Sequence, residues 1–320
     1  MSTSNHPNQP ELSCVVPFFN EGPLIGDAID RIEEALARSA ESFEIIAVDD
    51  GSSDETWEMI RQIAEARPSV HGIQLSRNFG KEGAISAGLA ASRGRAVIVL
   101  DGDMQHPPEY IPQMVESWRD GYELVSATKT NRPGQGSVHR VAARGFNRVF
   151  TKWTGVGLQD ATDFRLMDRA VVEAFLSLPE VQIFFRGTTS WLGFRSTTIP
   201  IEIAPRTGQP GSKWSLGKLV RLGLNAILSF TSAPLHLVTV VGSLYLLVAL
   251  ALGAQTLFRW ATGDAVTGFT TVILLLLGTG GLVLVGLGVM GEYIARIFDE
   301  VKARPRYLVR ATTDDSEPSH

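Results

Sequence analysis

Two aspartates one residue apart, Asp101 and Asp103, stand with Gln105 directly after the apolar run AVIVL (96–100). Two carboxylates at the exit of a buried strand present hard oxygens to Mg²⁺ or Mn²⁺, an ion that also takes diphosphate oxygens. Gly102 between them permits the close approach of a ligand. Such a pair also occurs in solvated turns; the strand before it and the turn at Gln105, His106, Pro107 and Pro108 favour the metal reading. A second acidic stop, Asp49-Asp50-Gly51-Ser52, is either a plain turn or a place where Asp50 accepts hydrogen bonds from a nucleobase or ribose. Glu21 has a similar choice between a helix amino terminus and a ribose. Lys81, in NFGKEGA, is either a solvated surface lysine or the counter-charge of a bound diphosphate.

These residues need elements to hold them. The first 200 residues alternate short apolar runs with amphipathic stretches, the pattern of a βαβ domain with a mainly parallel sheet. Strands are expected at 12–17, 43–48, 70–75 and 96–100, and helices at 25–37, 56–66 and 82–91. The apolar spacing of Ile25, Ala28, Ile29, Ile32 and Leu36 is helical. The polar motifs fall where strands stop, and open α/β sheets bind ligands outside the carboxyl ends of their strands.

The chain has 320 residues, of which 44% are hydrophobic and 20% charged, and its mean hydropathy is +0.07. A net charge of −5 argues against a general nucleic-acid binder. The single cysteine, Cys14, excludes an intrachain disulfide and a multi-cysteine zinc site. Hydrophobicity is concentrated: 222–258 and 265–291 contain no Asp, Glu, Lys or Arg. Each exceeds the roughly 20 apolar residues that cross a bilayer as a helix, so spans are expected at 233–257 and 268–290. Lys213, Lys218 and Arg221 precede the pair and Arg296, Lys302, Arg304, Arg306 and Arg310 follow it. This bias places both termini in the cytoplasm at the inner membrane face. The segment at 211–232 reads as an amphipathic interface helix or as the first turn of the span. Residues 1–10 and 312–320 read as tails, and 291–320 as a cytoplasmic C-terminal segment. A GxGxxG match at Gly286, Gly288 and Gly291 follows no strand and is discounted. The glycines there point to close helix packing or self-association in a homo-oligomer.

The runs VVPFFNE, VDDGSSDET, LSRNFGKEGAISAG and DGDMQHPPE resemble the GT-A glycosyltransferases of family 2, and more narrowly the polyprenyl-phosphate glycosyltransferases. The resemblance continues through DATDFRLMDR (160–169), FFRGTTSWLGF (184–194), RTGQPGSKWSLGKL (206–219) and GEYIARIFDEVKARPRYLV (291–309). It implies a GT-A (Rossmann-like) domain over 11–210 that moves a hexose from a nucleotide sugar to undecaprenyl phosphate with inversion. The branch it resembles favours UDP-glucose; GDP-mannose is the alternative. By the same resemblance Pro17, Phe19, Glu21, Val48 and Asp50 cradle the nucleoside, and Asp101, Asp103 and Gln105 hold the metal, with Lys81 near the phosphates. Asp163 lies by the sugar and acceptor, as base or orienting group. Arg206 and Lys213 clamp a phosphate, and Lys129, Arg132, Arg140 and Arg144 match a lipid-phosphate region.

An acceptor phosphate monoester, with a second pKa of about 6, is already largely ionised at neutral pH. No strong general base is then required, and an orienting role for Asp163 is the more economical. A processive polysaccharide synthase would carry more spans and a QxxRW-type motif, which this sequence lacks. A catalytically silent membrane scaffold would not need Asp101, Asp103 and Lys81 together.

Overall fold

The computed structural model describes residues 9–129, 161–180, 183–202, 233–262 and 268–314. Strands Leu12–Phe18 (β1), Phe43–Asp49 (β2), Val70–Leu75 (β3) and Ala96–Val99 (β4) alternate with helices Ile25–Ala37 (α1), Thr56–Ala66 (α2) and Lys81–Ala91 (α3). Helix Ile111–Arg119 (α4) leads to strands Leu124–Lys129 (β5) and Ala161–Asp168 (β6). Helices Arg169–Leu176 (α5) and Phe185–Trp191 (α6) precede strand Ser196–Ile201 (β7). Helices Ala233–Ala261 (α7) and Phe269–Val301 (α8) follow, and strand Val309–Thr312 (β8) comes last.

The strands form one eight-stranded sheet in the order β7-β5-β6-β4-β1-β2-β3-β8. β1 pairs in parallel with both β2 and β4, β2 with β3, and β5 with β7, whereas β6 and β8 run antiparallel to their neighbours. Because β1 has β2 on one side and β4 on the other, chain order reverses there and opens a crevice at the carboxyl ends. Side-chain alternation divides the core between the two faces. Leu12, Cys14, Val16 and Phe18 pack with α1, Ile60 and α4, while Val15, Ile46 and Val48 pack with α3, α5 and Phe185. Helix α3 comes close enough that a Cβ on Gly88 would lie 2.2 Å from Val15 Cγ1. Its small residues are what permit that approach.

Contacts divide the chain into two units, residues 1–213 with 304–320, and residues 214–303. The second unit holds α7 and α8, with apolar spans at Leu235–Arg259 and Leu275–Val301 of mean hydropathy 2.3 and 1.7. Both are long and apolar enough to cross a membrane. Within the unit, the Tyr245 hydroxyl donates to the Leu275 carbonyl at 2.7 Å, and its ring lies over Gly278, where a Cβ would come within 2.9 Å of the hydroxyl oxygen. Gly286, Gly288 and Gly291 sit inside α8 rather than after a strand.

Two expectations change at the carboxyl terminus. α8 does not stop with the apolar run at 290 but continues through EYIARIFDEV to Val301, where Ile294, Ile297, Phe298 and Val301 keep apolar residues at helical spacing. Residues 312–314 are not tail. β8 pairs with β3, Thr313 N donates to the Gly72 carbonyl at 3.0 Å, and Asp314 Oδ1 lies 2.8 Å from His71 Nδ1. A short edge strand of mixed polarity carries little hydrophobic pattern, and backbone pairing decides its place. The stretches 1–8 and 211–232, with Arg132, Arg140, Arg144, Arg206 and Lys213, lie outside the described residues.

Candidate active site

The loops after β1 and β2 are laced together. Asn20 N donates to Ser52 Oγ at 2.9 Å, Glu21 N to Thr56 Oγ1 at 3.0 Å and Ser53 N to Asn20 Oδ1 at 3.0 Å. Asn20 adopts φ 55°, which turns the chain so that Phe19 stays exposed and Glu21 points into the crevice. Across the crevice, a Cβ on Gly102 would lie 2.5 Å from the Phe18 ring and 2.9 Å from Glu21 Oε2. The space that glycine leaves is therefore taken by the protein's own Phe18 and Glu21. Asp103 Oδ1 accepts from Gln105 N at 3.2 Å and closes the turn.

Asp50 is 3% exposed. Its carboxylate accepts Phe79 N at 2.8 Å and Gly80 N at 2.9 Å, and so shapes the loop that delivers Lys81. Gly80 has φ 87°, a conformation that glycine supplies without strain. Val48 is a correction to the expected nucleoside cradle. Its side chain is fully buried between β2 and α3, on the core side, because strand alternation points it away from the crevice. Pro17 is half-buried in β1, and Lys129 closes β5.

At the centre, Lys81 Nζ bridges Asp101 Oδ1 and Asp163 Oδ2. Asp163 is also held by Arg186, whose Nε donates to Oδ1 and whose Nη2 donates to Oδ2 at 2.7 Å. Asp163, near the start of β6, and Arg186, in the first turn of α6, thus meet as a bidentate pair. Arg186 lies in the run FFRGTTSWLGF (184–194), where nothing local distinguishes it from a solvated helix arginine. Behind it Arg165 is fully buried, donating to Thr162 O at 3.2 Å and to the hydroxyls of Thr189 and Ser190. Glu82 Oε2 accepts Phe185 N at 3.1 Å and secures the start of α6.

The electrostatics divide this row in two. Burial, then the charges of Asp103 and Asp101, push Glu21 up to about 7. Burial alone would raise Asp163, but the Arg186 hydrogen bonds and the Lys81 charge outweigh it and hold the carboxyl well below the usual range. Burial lowers Arg165 to about 10, and burial with the Asp163 charge raises Glu82 to about 7. The crevice therefore has an acidic end at Glu21, Asp101 and Asp103, and a cationic end at Lys81 and Arg186, with Arg165 buried behind it. The acidic end suits a hard divalent cation: its donors are carboxylate oxygens that repel one another, offset by one lysine. Among the described residues no three acidic, histidine or cysteine side chains are grouped so as to hold a metal ion.

A mainly parallel sheet with carboxylates at its reversal point defines an α/β domain of the GT-A kind. The chain belongs to glycosyl transferase family 2, whose family model matches residues 13–175. An uncharacterized glycosyltransferase of Synechocystis sp. is 40% identical over 301 residues, covering 93% of this chain and 94% of that protein. A bactoprenol glucosyl transferase of Shigella phage SfX is 36% identical over 303 residues, covering 94% and 99%. Among solved structures, a mannosyltransferase of Pyrobaculum calidifontis in complex with GDP-Man and Mn²⁺ is 19% identical. It covers 92% of this chain and 86% of its own, with a TM-score of 0.49.

Proposed function

We propose that the protein transfers glucose from UDP-glucose to a polyprenyl phosphate, with inversion, at the cytoplasmic face of a membrane. The observation that carries the reading is the row Glu21, Asp101, Lys81, Asp163, Arg186 along the carboxyl edge, acidic at one end and cationic at the other. Relatives named bactoprenol glucosyl transferase, aligned over nearly the whole chain, support the lipid acceptor. The two apolar helices support a membrane setting, and the basic residues flanking them support a cytoplasmic domain.

Asp101 and Asp103, with Gln105, would hold Mg²⁺ or Mn²⁺, which supplies Lewis-acid charge for the departing diphosphate. Lys81 adds positive charge beside Asp101, which it reaches from α3. Asp163, tied to two cations, orients them and is a poor proton acceptor; the ionised acceptor needs none. The anomeric C–O bond to the diphosphate breaks as the acceptor oxygen forms its bond from the opposite face. Nucleoside diphosphate leaves. A panel of nucleotide sugars with labelled undecaprenyl phosphate in membranes, reading the product lipid by mass, tests this. A hexosyl-phospholipid formed from UDP-glucose with Mg²⁺ or Mn²⁺ is expected; no metal-dependent nucleotide release with any donor would defeat it.

A further inference from the structure

We propose that Arg186 receives the phosphate group of the acceptor, with Asp163 as its positioning residue. The inference rests on the transfer reading above and adds a subsite to it. Three observations carry it. First, the sheet order fixes a direction across the crevice. Asp49 and Asp50 end β2, Glu21 follows β1, Asp101 and Asp103 follow β4, and Asp163 opens β6 next along. A nucleoside diphosphate at the first three places its leaving oxygen near Asp101 and Lys81. In-line displacement then brings the nucleophile from beyond the sugar, on the β6 side, where Arg186 stands.

Second, Arg186 is free to receive a ligand. It spends Nε and Nη2 on Asp163 and its side chain remains 40% exposed. A guanidinium has five N–H donors, so others remain for a phosphate while the fork stays fixed. Third, the charge at this end suits an anion. Lys81, Arg165 and Arg186 surround Asp163, and the neighbouring Glu82 carries a raised pKa. A dianionic phosphate monoester meets a surplus of positive charge there and repulsion at Glu21, Asp101 and Asp103.

Arg186→Gln should raise the KM for a short-chain prenyl phosphate about 10- to 100-fold, the value of a charge-assisted hydrogen bond. UDP affinity with Mn²⁺, measured by calorimetry on the full chain in detergent, should change less than threefold. Arg186→Lys keeps the charge without the fork and should recover part of the acceptor affinity. A readout insensitive to simple misfolding is headgroup preference. Wild-type protein should bind prenyl phosphate more tightly than its monomethyl ester as competing inhibitors, and Arg186→Gln should narrow that preference. An unchanged acceptor KM in a wild-type background that transfers sugar overturns the subsite alone. Equal losses of donor and acceptor affinity, unrelieved by lysine, also overturn it. Wild-type protein without acceptor-dependent transfer takes down the underlying reading and this subsite with it.

Discussion

The amino and carboxyl edges of one sheet both bury carboxylates, and they treat them in opposite ways. At the amino edge Glu44 is 3% exposed, yet its oxygens accept Ser13 Oγ at 2.6 Å, Arg93 N at 2.7 Å and Arg93 Nε at 3.0 Å. Ser13 Oγ in turn accepts Gly94 N at 2.7 Å, and Arg169 Nε donates to Gly94 O at 2.9 Å. Each charge there is met locally by donors whose geometry the strands fix. At the carboxyl edge Glu21, Asp101 and Asp103 crowd one another, and burial with that crowding raises Glu21. One edge is finished by the fold, whereas the other is left electrostatically open to a charged ligand.

The contrast breaks most sharply at Asp101. Asp101→Asn should lower kcat about a thousandfold, the loss of about 4 kcal/mol of charge stabilisation, while the melting temperature stays within a few degrees of wild type. An unfolded Asp101→Asn, or one with near-normal turnover, would show that this edge serves stability instead. Asp163→Asn comes next. It loosens both Lys81 and Arg186 and should cost about 100-fold in kcat. Its kcat between pH 5 and 8 should show no new ionisation, because the wild-type carboxylate titrates far below that range. Wild-type turnover in this variant would remove both the orienting and the basic role. Glu44→Ala should do the reverse. Leaving buried donors on Ser13 and Arg93 without their acceptor costs about 2 kcal/mol of stability, read by denaturant unfolding, with kcat per folded molecule unchanged.

The two edges also differ in how far they could be read from the residues. The strand ends and helix starts follow from apolar alternation and from Asp, Gly and Ser at the stops, so β1 to β4 and α1 to α3 fall within a residue of expectation. Asp101 and Asp103 follow β4, and Lys81 joins them from the start of α3, which packs over β1 and β2 behind the loop that Asp50 holds. Asp50 carried a local signal with two meanings, and its carboxylate is used on the Phe79 and Gly80 amides. Val48 sat one residue from the acidic stop but on the core side of the pleat. Arg186 had no local signal. It meets Asp163 from 23 positions further along the chain, and an arginine in a helix turn looks the same whether solvated or paired. β8 carries no local signal for a related reason: with Val309, Arg310, Ala311 and Thr312, its place is set by pairing to β3. Residue type marked the positions that titrate, while tertiary contact decided which of them are engaged.

The smallest expected effect lies beside the crevice, at Glu82 in the first turn of α3. Its carboxyl is raised from 4.5 to about 7 by burial and by Asp163, so the folded protein keeps a proton that the unfolded chain releases first. Between about pH 4.5 and 7 the folded state therefore binds more protons, and stability falls as pH rises through that window. Solvent screening at this partly exposed carboxyl holds the cost to about 1 kcal/mol. Glu82→Gln removes the titration and keeps an amide oxygen for Phe185 N, so its stability should fall less steeply over that range and exceed wild type at pH 8. Denaturant midpoints at a series of pH values measure this. Parallel curves for the two proteins would mean that Glu82 ionises in the folded state much as it does in the unfolded chain. The open electrostatics would then be confined to Glu21, Asp101, Asp103 and Asp163, and the start of α6 would belong with the satisfied edge.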